Sequence, residues 1–250
     1  MNEMRENFSL KKYLDEVVQD KLKIFQEFIQ WTDKDKQDFK TLLDNLEKGS
    51  DKDDQTTKEK GDHLENLVEF IIKKSYFFEI FRNVHTETNE IDEVIIFSDR
   101  GYQALQEFNL SRDLIPIDND IFLGECKNYA SNLGVTYVGK FYSLMSVVGI
   151  PFGIIFTQKG LTGMSNGYKD AYGLTKVLRM IENNKQPPNN LFILTFTMED
   201  YNKMSEGTTF FDLIRAKKNE LQLASDYHKF LKDNKHDAED EIKQIISTIK

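Results

Sequence analysis

Apolar residues recur at helical spacing near the start of the chain and at strand spacing in its middle. Leu10, Leu14, Val17, Val18, Phe25, Phe28 and Ile29 predict an amphipathic helix over 8–31, closed by Trp31. Thr32 suits the N-cap of a second helix that carries Phe39, Leu42, Leu43 and Leu46 and ends at Gly49. The next segment, SDKDDQTTKEK over 50–60, has no apolar residue and predicts a solvated linker, which sets residues 1–49 apart as an N-terminal helical hairpin.

Beyond Gly61 the pattern predicts a different kind of domain. Leu64, Leu67, Val68, Ile71 and Ile72 share one face of a helix over 63–76, with Glu65 and Glu69 one turn apart on an adjoining face. Residues 77–86 and 89–98 read as an antiparallel hairpin, and 99–119 as an insertion with a short helix near 102–108. A strand over 120–128, a helix over 135–148 ended before Pro151, and a strand over 152–157 follow. Then come a helix over 166–183, the turn QPPNN, a strand over 191–196, and two helices at 209–225 and 237–250. Strands alternating with helices after an initial hairpin predict an α/β fold with a mixed sheet, its core in 61–200 and its C-terminal helices in 201–250.

Composition narrows the classes. The 250 residues are 39% hydrophobic and 30% charged, with no apolar run long enough for a membrane span. A single cysteine, Cys126, excludes an internal disulfide, and the N-terminal residues lack a signal-peptide pattern, so a cytoplasmic protein is expected. The net charge is −9, with 12 basic against 15 acidic residues in 1–60, 12 against 18 in 61–200 and 9 against 9 in 201–250. A nucleic-acid enzyme of this charge needs a local basic strip, metal ions at an acidic site, or a partner that supplies positive charge.

Two apolar strands carry charges where Val, Ile or Phe is usual: NEIDEVIIFS, 89–98, and DIFLGECKNY, 120–129. Side chains two apart on a strand face the same way, so Glu125 and Lys127 point to one side and Cys126 to the other. With Asp92 on the neighbouring strand, the cluster has the composition of a divalent-metal site for phosphoryl chemistry, Mg²⁺ or Mn²⁺ keeping most of its waters. In that reading Asp92 and Glu125 bind the metal, the Cys126 main-chain carbonyl is a third ligand, and Lys127 orients or helps deprotonate the water. The competing reading is a structural Glu125–Lys127 ion pair. Weaker candidates for substrate contact are Gln158 and Lys159 after the strand 152–157, Lys140 on the helix after the acidic strand, and Tyr129 as a stacking group. His63, His85, His228 and His236 are scattered and predict no structural zinc.

The segments NEIDEVIIFS, FLGECKNY and FGIIFTQKGLT, preceded by the helix with HLENLVEFI, resemble the PD-(D/E)xK nuclease superfamily, in particular its Mrr-like restriction endonuclease branch, over about 61–200. The resemblance implies a restriction-endonuclease-like mixed sheet and Mg²⁺-dependent cleavage of nucleic acid, usually double-stranded DNA, in bacterial defence. It maps the site to Asp92, Glu125, Lys127 and a helix glutamate, Glu65, with Glu69 as an alternative. Ile91 replaces the motif's proline, Glu87-Thr88-Asn89-Glu90 replaces a glycine-rich approach, and 99–119 lengthens the link between the two acidic strands. Two alternatives stay open: cleavage of RNA or single strands, and a conditionally active or non-catalytic subunit that docks to a partner, or to its own copy, through the N-terminal helices.

Overall fold

Alternation along β2, Glu90–Phe97, places Ile91, Glu93, Ile95 and Phe97 on one face and Asp92, Val94 and Ile96 on the other. The first set is buried and the second half-buried, so the sheet has a deep face and a shallower one. The chain is described by a computed structural model that covers residues 10–51, 57–85, 90–164 and 169–223. Five strands form one sheet in the order β1, Phe78–His85; β2; β3, Ile121–Lys127; β4, Phe152–Thr157; and β5, Phe192–Phe196. β1–β2 and β2–β3 pair antiparallel, whereas β3–β4 and β4–β5 pair parallel. The fold is therefore α/β with a mixed sheet, as the sequence predicts.

The deep face holds an aromatic core. Phe78, Phe122, Phe152, Phe156 and Phe196 project from the strands toward α3, Thr57–Lys74, and α8, Phe210–Leu223, whose Phe211 packs on Phe78. Each such buried ring contributes about 1.5–3 kcal/mol relative to exposure. Among the described residues, no helix is long and apolar enough to cross a membrane.

The N-terminal helices are part of this core. Phe25 of α1, Leu10–Ile29, stacks on Phe77 and Phe211, and Phe39 of α2, Asp33–Asp51, packs against Trp31 and Phe70. Thr32 caps α2 reciprocally with Asp35: Thr32 Oγ1 accepts from the Asp35 N–H at 3.2 Å, and Asp35 Oδ2 from the Thr32 N–H at 3.0 Å. The expected linker over 50–60 is shorter than predicted, because α2 runs on to Asp51 and α3 starts at Thr57. Lys58, Glu59 and Lys60 thus belong to α3, and polarity alone does not distinguish a solvated helix end from a loop.

On the shallower face lies α5, Val135–Val148, which ends where Gly149 takes the left-handed conformation at φ 70°. Its Phe141 and Met145 press against Gly153 of β4, where a Cβ would come within 2.7 Å of the Phe141 ring. α6, Asp170–Asn183, packs beside α5, joined by the hydrogen bond from the Tyr142 hydroxyl to Glu182. The insertion 99–119 forms α4, Asp99–Glu107, and a short 3-10 turn, Arg112–Leu114. A further helix, α7, Met198–Ser205, follows β5 without a counterpart in the predicted elements, while the predicted helix over 237–250 lies outside the described residues.

Candidate active site

The site arises where two strand pairs part. The β2–β3 ladder ends at Glu93↔Gly124. Past that point β2 continues against β1 as far as His85↔Glu90, and β3 continues against β4 as far as Lys127↔Thr157. The opening is at the carboxyl end of β3, the kind of position where open α/β sheets hold ligands.

Asp92 projects into this opening from β2, and Glu125 and Lys127 from β3. Lys127 Nζ lies 2.7 Å from Asp92 Oδ2 and 3.0 Å from Glu125 Oε1, so both carboxylates converge on one cationic point. The Cys126 main-chain N–H donates to Asp92 Oδ2 at 3.1 Å. In a strand, the N–H and C=O of one residue point to the same edge, so the Cys126 carbonyl is directed toward Asp92 as well. The three charged side chains floor a cleft of about 710 Å³, with Lys140 and Leu144 of α5 on its other wall.

Burial, and then the neighbouring Asp92 charge, pushes the Glu125 carboxyl above its ordinary range. Burial opposes the charge on Lys127, yet the carboxylates of Glu125 and Asp92 outweigh it and hold the ammonium above its usual pKa. Two acids facing one ammonium leave a net negative pocket of oxygen donors. That donor set fits a hard divalent cation, which needs few protein carboxylates and keeps its own waters. Among the described residues, no group of three or more His, Cys, Asp or Glu is arranged to hold a metal, so the protein's side-chain share of such a site is the Asp92–Glu125 pair.

No family model, no curated protein and no solved structure matches this chain.

Other predicted site residues lie elsewhere. Glu65 stands across the sheet from the cluster: it pairs with Arg82 of β1, which also takes Glu69 at 3.0 Å. Arg82 is the register partner of Glu93, whose side chain alternates to the face opposite Asp92. Both helix glutamates are thus held by an arginine on the deep face. Gln158 is buried, and its Nε2 donates to the Leu46 carbonyl at 2.8 Å, tying α2 to the end of β4. Lys159 is exposed on the loop after β4, its carbonyl held by Asn132 Nδ2 at 2.7 Å. Lys140 does line the cleft, and Tyr129 lies two residues past Lys127 with its ring 5.4 Å from that of Tyr137.

Nothing in the sequence pattern marks Glu93 as a site residue. It is 1% exposed on the deep face, and neither carboxyl oxygen has a hydrogen-bond partner of normal geometry. Burial pushes its carboxyl up to about 8, with the Cys126 thiol beside it pulling the other way. Gly124 makes room for it, since a Cβ there would lie 2.9 Å from Glu93 Oε2. The strand's alternation marks only its burial: Ile91, Glu93, Ile95 and Phe97 share parity, so an acid falls in the buried series.

Proposed function

We propose that this chain is a metal-dependent endonuclease that hydrolyses phosphodiester bonds of DNA, acting as the nuclease of a bacterial defence system. The observation that carries the reading is the convergence of Asp92, Glu125 and Lys127 on one point at the parting of β2 and β3, open to a cleft. Asp92 and Glu125 would hold Mg²⁺ or Mn²⁺, the Cys126 carbonyl being directed to the same edge. The bound cation supplies charge neutralisation and a more acidic water. Lys127, ion-paired with both acids, enters as a positive charge beside the scissile phosphate, and Asp92 is held in place by the Cys126 N–H. The parting of the strands gives a phosphate access to this edge without breaking a ladder hydrogen bond.

The outer half of α1 favours a regulatory addition to this reading. Leu10, Leu14 and Val18 are each more than half exposed there, which suits contact with a partner protein or a second copy that controls activity. Purified protein incubated with plasmid and Mg²⁺ or Mn²⁺ tests the main reading. Cleavage is expected from the native chain and abolished in Asp92→Asn, Glu125→Gln and Lys127→Met; cleavage persisting in all three overturns it.

A further inference from the structure

The wall opposite the carboxylates has its own pattern. Tyr137, Lys140, Leu144 and Val147 succeed one another at spacings of three, four and three, so they form one stripe along α5. Lys140, Leu144 and Val147 line the cleft. Val147 is 70% exposed, an unusual state for valine on a helix otherwise packed on a sheet. At the start of the stripe Tyr137 packs at a tilt against Tyr129, itself 39% exposed and close enough to Lys127 and Glu125 to feel their charges. Along this side of the site the order is an aromatic pair beside the cleft, then a lysine and two aliphatic side chains that line it.

The charges of the cleft decide what such a wall suits. Its lining has three acids, Glu90, Asp92 and Glu125, against Lys127 and Lys140, and Lys127 is already shared between two of the acids. A helix stripe from 137 to 147 is about 15 Å long. A duplex carries a negative charge every ~1.7 Å of axis, so that length would bring about nine phosphates to a wall offering one lysine. An unpaired strand brings about half that charge and exposes base faces, which stack on aromatic side chains and pack on aliphatic ones.

Resting on the nuclease reading, we infer that the strand entering this cleft is unpaired, with one phosphate on Lys140 and its bases against the Tyr129–Tyr137 pair and the Leu144–Val147 surface. A phosphate on Lys140 lies across the cleft from Asp92 and Glu125. The amphipathic wall thus replaces the basic footprint that the chain's net charge of −9 lacks.

The test uses the full chain and a short fluorescein-labelled oligonucleotide, single-stranded or annealed to its complement, with DNA and RNA arms. Cleavage is followed with Mg²⁺, and binding by anisotropy on Asp92→Asn protein. The single strand is expected to be cut at least about tenfold faster than the duplex. In the Asp92→Asn background, Val147→Glu and Tyr129→Ala, both at exposed positions and checked for folding by circular dichroism, are each expected to weaken single-strand binding about tenfold. The DNA and RNA arms show which sugar the cleft accepts, and a preference for either unpaired strand supports the inference. Duplex cut as fast as single strand, or variants that leave single-strand affinity unmoved, overturns the strand inference and leaves the nuclease reading standing. Absence of cleavage on every substrate with single-strand binding intact overturns the nuclease reading and keeps the strand preference.

Discussion

The main-chain N–H of Cys126 donates to Asp92 Oδ2 over 3.1 Å, so the strand that carries Glu125 and Lys127 also fixes the carboxylate facing them. One oxygen of Asp92 therefore meets both a backbone donor and the Lys127 ammonium, 2.7 Å away. The arrangement is set before any substrate enters.

Asp92→Asn and Asp92→Ala should separate the charge from the scaffold. Asparagine keeps an oxygen that accepts from the Cys126 N–H, so its unfolding free energy should stay close to native while cleavage falls at least about a hundredfold. Alanine leaves a partly buried N–H unpaired and removes one of the two acids facing Lys127, and should cost about 1–3 kcal/mol in urea unfolding as well. Equal stability of the two variants would show that the Cys126 contact carries no weight.

Lys127→Met removes the cation from between two carboxylates, one of them already raised by burial and by the other's charge. Its Tm should drop at neutral pH. Added Mg²⁺ should raise the Tm of both proteins in proportion to the logarithm of its concentration once above its Kd, with the larger rise in the variant, where no ammonium competes for the acids. A Tm unmoved by Mg²⁺ in both proteins argues against a cation between Asp92 and Glu125.

Much of this site was legible in the sequence because it depends on local order. Strand parity places Glu125 and Lys127 together, and Pro151 marks the break between α5 and β4. What escaped depends on distant partners. Glu65 and Glu69 look equally available on a helix face until Arg82, 17 and 13 residues away, takes both on the wrong side of the sheet. Gln158 reads as a loop residue until Leu46, 112 residues earlier, claims its amide. α7 escaped because an eight-residue helix shows too few turns for a periodic pattern.

Glu93 makes stability pH-dependent. Its folded-state carboxyl is raised from 4.5 to about 8, so between those values the folded chain binds a proton that the unfolded chain has released. Stability attributable to this group therefore falls as pH rises through that window and levels off above it, by an amount on the order of 5 kcal/mol. Glu93→Gln keeps the shape without the ionisation. Urea unfolding from pH 5 to 9 should show the variant gaining on the native protein as pH rises; parallel curves would refute an ionisable buried Glu93.

The Asp200–Lys217 pair should be the most sensitive ionic contact away from the site. Lys217 Nζ of α8 lies 2.9 Å from Asp200 Oδ1 of α7, and both side chains are buried. Asp200 also accepts from the Thr197 N–H at 2.7 Å, so the same carboxylate caps α7 and anchors α8. Lys217→Met leaves the carboxylate buried without its counter-charge and should cost about 3–5 kcal/mol. Asp200→Asn combined with Lys217→Met removes both charges and retains an acceptor for Thr197, so the double variant should recover a good part of that loss. If the double variant is no more stable than Lys217→Met, the loss comes from packing around the lysine stem rather than from an unpaired charge.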